Sequence, residues 1–164
     1  MKPEELRDTG PKLDADDIDA FEKEIGFKLP RDYREFLLQT NGGVLPEDDG
    51  YFYVEDADWW NGLHVFYGLR RPDAESISLR MVLRYVRESH PEIFDQTLGR
   101  LPIASDHLGN ELYLVLTGPE RGCVYFWMHD ADVPPDKLSS SFESFLESVR
   151  EKPAKWERPD LYPD

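Results

Sequence analysis

Apolar residues recur along this chain in two rhythms, a helical one near 3.6 and a strand one near 2, and the changes of rhythm divide it into elements. Ile18, Phe21 and Ile25 fall on one helical stripe across residues 14–25. Asp14 is placed to cap that helix, Asp16 and Asp17 favour the positive end of its dipole, and Gly26 suits the left-handed position beyond its end. A second helix starts in Leu29-Pro30-Arg31-Asp32-Tyr33-Arg34-Glu35-Phe36-Leu37-Leu38, with Pro30 near its first position and Tyr33, Phe36 and Leu37 on its buried side. Asn41-Gly42-Gly43 ends it. A third helix is predicted over residues 74–88, with Leu79, Val82, Leu83 and Val86 facing the core and Arg80, Arg84 and Arg87 on the other side. Pro91 restarts the chain in a short helical piece that runs to Leu98, before Gly99. The last helix is predicted to begin at Ser140, with Glu143 three residues on as its capping-box partner and Phe142, Phe145, Leu146 and Val149 buried.

Between the helices the rhythm shortens. Tyr51-Phe52-Tyr53-Val54, Leu63-His64-Val65-Phe66, Leu101-Pro102-Ile103-Ala104, Leu112–Leu116 and Cys123–Trp127 have the length and the aromatic or β-branched content of strands. Gly118-Pro119-Glu120-Arg121-Gly122 joins the last two as a hairpin. Helices and strands in this order define an α+β fold: a single domain with a largely antiparallel twisted sheet and flanking helices. We expect the globular part to span residues 1–152, with a proline-rich tail at 153–164 carrying Pro153, Pro159 and Pro163.

Three motifs in this order resemble a known family. Ile18-x2-Phe21-x3-Ile25-Gly26-x2-Leu29-Pro30-x2-Tyr33-x2-Phe36-Leu37-x3-Asn41-Gly42-Gly43 is similar to the N-terminal signature of the SUKH superfamily. Leu101-Pro102-Ile103-Ala104-Ser105-Asp106 with Gly109-Asn110, and Gly122-x-Val124-Tyr125-Phe126-Trp127 with the helix bearing Phe142 and Phe145, are the second and third. The resemblance covers residues 18–149. It implies a fold shared with fungal cell-wall synthesis regulators and bacterial toxin-immunity proteins. The signature residues stop, start and turn helices, so they carry architecture and no catalytic residue. The chain departs from the family's usual shape in segment 47–60 and after Lys152, where partner choice is expected to lie.

Charge narrows the partners. The 164 residues carry a formal net charge of −15, of which −10 belongs to the first 60. Such a surface repels phosphate backbones and anionic membranes, so neither nucleic acid nor membrane is an expected partner. Cys123 is the only cysteine and sits in an apolar run, which reads as a core position and allows no internal disulfide. The opening residues lack the apolar region of a secretory signal, and no apolar stretch approaches the roughly 20 residues of a membrane span. A cytoplasmic location is expected.

Catalytic chemistry finds little support. Ser105-Asp106-His107 contains triad residue types, but triads are assembled by geometry rather than by adjacency, and a turn explains these residues better. His107, His129, Asp130 and Asp132 lack the His-x3-His or Cys-x2-Cys spacing that sets two ligands on one face, and Asp48-Asp49-Gly50 through Glu55 misses the EF-hand offsets. No enzyme activity, cofactor or metal is expected. What remains is segment 47–60, which holds no basic residue and reads either as a solvated loop whose charge aids solubility or as an interface. Asp48, Asp49, Glu55, Asp56 and Asp58 would steer a basic partner, and Tyr51, Tyr53, Trp59 and Trp60 would anchor it. Adjacent strand residues point to opposite faces, so one tryptophan belongs to the core and the other to the surface. The resemblance and this segment together imply an immunity protein that occludes a basic toxin domain by stoichiometric binding. A regulatory adaptor of the same fold is the alternative; a metal-binding protein or a hydrolase is less well supported.

Overall fold

The computed structural model describes residues 1–46, 50–55, 58–70 and 77–150. Its helices are α1 (Ala15–Ile25), α2 (Arg31–Thr40), α3 (Leu79–Ser89), α4 (Pro91–Phe94) and α5 (Phe142–Ser148). Its strands are β1 (Gly43–Val44), β2 (Tyr51–Val54), β3 (Trp59–Phe66), β4 (Arg100–Asp106), β5 (Glu111–Val115), β6 (Val124–Trp127) and β7 (Asp136–Ser139). Every pairing between these strands is antiparallel; the sheet runs β1-β3-β4-β5-β6-β7, and β2 pairs with the first half of β3. This is the α+β architecture that the order of rhythms predicts.

Local chemistry sets the helix ends. The Asp14 carboxylate accepts the Asp17 N–H, and the Asp17 carboxylate accepts the Asp14 N–H, so two orphan donors of α1 are satisfied reciprocally. Gly26 closes α1 in the left-handed region. Asn41 closes α2 in the same region, at φ 50°, and its fully buried side chain does more. Its amide donates to the Pro11 and Arg70 carbonyls and accepts the Leu69 N–H, tying the N-terminal segment and the chain after β3 to the end of α2. Gly42 follows because a Cβ there would lie 2.6 Å from the Phe66 carbonyl and the Gly68 nitrogen. The signature Asn41-Gly42-Gly43 is therefore a junction.

Helices cover the sheet on both faces. Phe66 meets Phe36 of α2 at 5.0 Å between ring centroids, and Phe142 of α5 packs on the same pair. On the opposite face Phe94 of α4 packs on Tyr113 and Trp127. Burying such rings, about 1.5–3 kcal/mol each, is the main stabilising term. The β2–β3 hairpin folds over the α2–α5 face: Phe52 stacks edge-on against Phe126 at 5.2 Å and Phe145 at 6.2 Å, and Trp59 contacts Phe126. After α5 the chain returns to this hairpin, where Arg150 and Tyr51 exchange both backbone hydrogen bonds.

Several boundaries differ from the sequence expectation. Pro30 is the N-cap of α2, and Arg31 is its first helical residue. Helix α3 starts at Leu79 because Ile77 and Leu79 exchange backbone bonds with Gly68; the predicted first turn at 74–76 lies outside the described residues. Strand β4 continues through Ser105 and Asp106. Strand β7 was not expected: Asp136–Ser139 pairs with β6 although its alternation is weak. Ser139 in that strand moves the cap of α5 to Ser141, whose hydroxyl accepts the Ser144 N–H, so Ser140 and Glu143 do not form the predicted box. The predicted tail at 153–164 lies outside the described residues.

Candidate functional site

Alternation builds the β2–β3 hairpin. Phe52 and Val54 point inward, and Tyr51 and Tyr53 point to the other face. At the turn Asp58 takes a left-handed conformation, φ 52°, with its N–H on the Glu55 carbonyl. The register opposes Val54 to Trp59 and Tyr53 to Trp60. Trp59 thus packs on the core and Trp60 lies on the outer face, its ring tilted against that of Tyr53 at 5.3 Å. Tyr53 is 39% exposed and donates its hydroxyl to the Asp58 carboxylate. That hydrogen bond raises the phenol above its ordinary pKa, with burial and the charges of Asp58 and Glu55 acting in the same direction.

The structure distributes the nine sequence-predicted residues unevenly. Tyr53, Glu55 and Asp58 are exposed on the hairpin, and Trp60 is half-buried beside Tyr53. Tyr51 is only 8% exposed and is held as part of the fold, because Arg150 covers its backbone edge and Gly62 lies across from it; it offers no free ring to a partner. Trp59 is turned to Phe126, so it too supports the surface from beneath. Asp48, Asp49 and Asp56 lie outside the described residues.

Two residues extend the outer face that sequence reasoning did not place there. His64 follows Trp60 and Gly62 at every second position of β3, and the β3–β4 register brings the His107 ring to 4.5 Å from it. Gly62 makes room, since a Cβ there would stand 3.2 Å from the His107 ring and 3.5 Å from that of Tyr51. Burial, aided by His107 and opposed by Asp106, lowers the pKa of His64. The alternation of His64 with Trp60 was readable, but the approach of His107 depends on a bulge between Leu63 and Val65.

Buried carboxylates beneath this face serve the fold. Asp106 accepts four hydrogen bonds at 2.8 Å, from the Asn61 and Asn110 amides and the Leu108 and Asn110 N–H groups. Ser105 and Asp106 thus end β4 rather than lying in the predicted turn, which begins at His107 and is closed by the Asp106 carboxylate. His129 places Nδ1 2.9 Å from the Asn110 side-chain oxygen, which also accepts its N–H. Among the described residues no three His, Cys, Asp or Glu side chains converge as a metal site. Glu111, 7% exposed, accepts the Tyr67 hydroxyl at 2.9 and 3.1 Å. Burial raises its pKa to about 8, opposed by that hydrogen bond and reinforced by the charge of Asp106. At neutral pH this carboxyl is largely a neutral core group.

The signature junction and the seven antiparallel strands define the SUKH class of α+β domain. The sequence model of the SMI1 / KNR4 family (SUKH-1) matches residues 12–148, and the chain belongs to that family. A similar protein is the SPbeta prophage-derived uncharacterized protein YokK of Bacillus subtilis (strain 168), 28% identical over 162 residues, covering 87% of this chain and 78% of the relative. Among the described residues no helix is long and apolar enough to cross a membrane.

Proposed function

We propose that the chain is an immunity protein that neutralises a toxin by stoichiometric occlusion, without turnover, and that the hairpin face is where the toxin binds. One observation supports the reading: the exposed Tyr53 ring meets the half-buried Trp60 ring beside Glu55 and Asp58, in a segment with no basic side chain. Aromatic pairs at a surface are typical binding anchors, and surrounding carboxylates accelerate encounter with a cationic partner. A toxin that acts on nucleic acid is itself basic, so it fits such a surface. Membership of a family of regulators and immunity proteins supports the same reading, and a relative of prophage origin is in keeping with it.

The test is co-expression with the product of the neighbouring large open reading frame, scored for survival and co-purification. Rescue with a stable 1:1 complex is the expected result. Replacing Asp48, Asp49, Asp56 and Asp58 by Lys is expected to slow association and weaken its salt dependence; unchanged kinetics would place the interface elsewhere.

A further inference from the structure

A groove of about 640 Å³ runs between α2, α5 and the first residues of the chain. Met1, Pro3 and Leu146 give it an apolar strip above the buried rings of Phe36 and Phe142. Its rim is acidic, with Asp32, Glu35, Glu143 and Glu147. The two cations nearest that rim have their own partners, Arg31 a carboxylate and the Met1 ammonium two backbone carbonyls. Arg31 pairs with Glu35 at 2.7 Å, and the Met1 ammonium donates to the Leu146 and Val149 carbonyls at 3.1 and 3.0 Å. Asp32 is also engaged, accepting the N–H groups of Tyr33 and Glu143. Glu143 and Glu147 stand four residues apart on α5, both exposed, and among the described residues neither has a cation beside it. Like charges at that spacing weaken a helix, and α5 has only seven residues.

We propose that this groove docks a cationic amphipathic segment of a protein partner, its apolar side chains on Met1, Pro3 and Leu146 and a Lys or Arg between Glu143 and Glu147. This is the helix-in-groove mode of recognition, with charge selecting the occupant. An acidic segment would meet four carboxylates on a chain of net charge −15, and an uncharged one would leave the glutamate pair uncompensated. The inference rests on the reading that the chain acts by binding a basic protein, but it uses a surface separate from the hairpin.

The full chain, labelled with ¹⁵N, is titrated with a synthetic Leu/Lys amphipathic helix and with its Leu/Glu counterpart at about 0.15 M salt. The expected result is saturable shifts at Gln39, Glu143, Leu146 and Glu147 with the Leu/Lys peptide only. The double variant Glu143→Gln/Glu147→Gln is expected to bind about fivefold more weakly, and Glu55→Lys/Asp58→Lys within about twofold of the parent. Circular dichroism confirms that each variant is folded. Shifts centred on the hairpin, equal affinity of the glutamine variant, or no binding of the Leu/Lys peptide would each overturn the groove. None of these alters the outcome of co-expression with the toxin, so the two proposals fail separately.

Discussion

The α1–α2 layer and the β2–β3 hairpin are both acidic, yet their carboxylates are differently employed. In the helical layer Asp14 and Asp17 cap each other's backbone, Asp17 pairs with Arg70, Asp19 with Arg34, and Glu24 with Arg80. Glu22 is nearly buried and takes Lys28 at 2.5 Å, the Leu29 N–H at 2.9 Å and Arg34 at 3.4 Å. Burial alone would raise its pKa, but those hydrogen bonds and charges bring it below the ordinary value. On the hairpin, Asp58 holds only the Tyr53 hydroxyl and the turn, and its exposed neighbours are rings. The same kind of side chain thus holds the fold together in one region and lies on the surface in the other. Net charge alone does not distinguish them; the census of partners does.

Changes at the buried carboxyls should therefore move stability, or its pH dependence, far more than changes at the hairpin carboxyls. The largest effect is expected at Glu111. Its folded pKa of about 8 exceeds the ordinary value of 4.5, so its contribution is complete below about pH 4.5 and is lost as pH rises through about 8. Between about pH 5 and about pH 9 the parent should lose a few kcal/mol relative to Glu111→Gln in urea denaturation, and parallel profiles would show the carboxyl is not neutral. Next, Glu22→Ala should cost about 1–3 kcal/mol by the same measurement, because it orphans the buried Leu29 N–H and removes the ion pair with Lys28, while Arg34 keeps Asp19. Glu55→Lys/Asp58→Lys should change stability by less than about 0.5 kcal/mol, while slowing toxin association about tenfold at low salt. A loss of stability comparable to that of Glu22→Ala would erase the contrast between the two regions. The smallest effect is expected at His64. Its lowered pKa favours the neutral ring, so stability contributed by that preference is present above the ordinary value of 6.5 and is lost as pH falls through the folded value. His64→Gln should flatten this acid limb, measured as thermal midpoints between about pH 7 and about pH 5.

How much of this was legible in the sequence depends on the range of the interaction concerned. The stripes Ile18-Phe21-Ile25 and Leu79-Val82-Leu83-Val86 and the caps at Asp14 and Gly26 are local, and the structure reproduces them. Strand β7 escaped because Asp-Lys-Leu-Ser has little apolar alternation and owes its pairing to β6. The cap of α5 was misplaced by one residue because three serines in a row offer equal hydroxyls, and only the demand of β7 for Ser139 decides among them. On the candidate surface, period 2 foretold that Trp59 and Trp60 would part. The burial of Tyr51 and the arrival of His107 could not be foretold, since both depend on segments distant in sequence, Arg150 for the one and the β3–β4 register for the other. The same holds for Glu111, whose partner Tyr67 comes from beyond the end of β3.

Phe52, wedged between Phe126 and Phe145, has a consequence for how such a protein changes over generations. It divides the hairpin into residues that pack on the core and residues that face outward. Phe52, Val54 and Trp59 are constrained by the core, while changes at Tyr53, Glu55 and Trp60 leave those contacts in place. If the outer face binds a partner as proposed, that face can be retargeted while the Phe52 contacts that hold the hairpin stay in place.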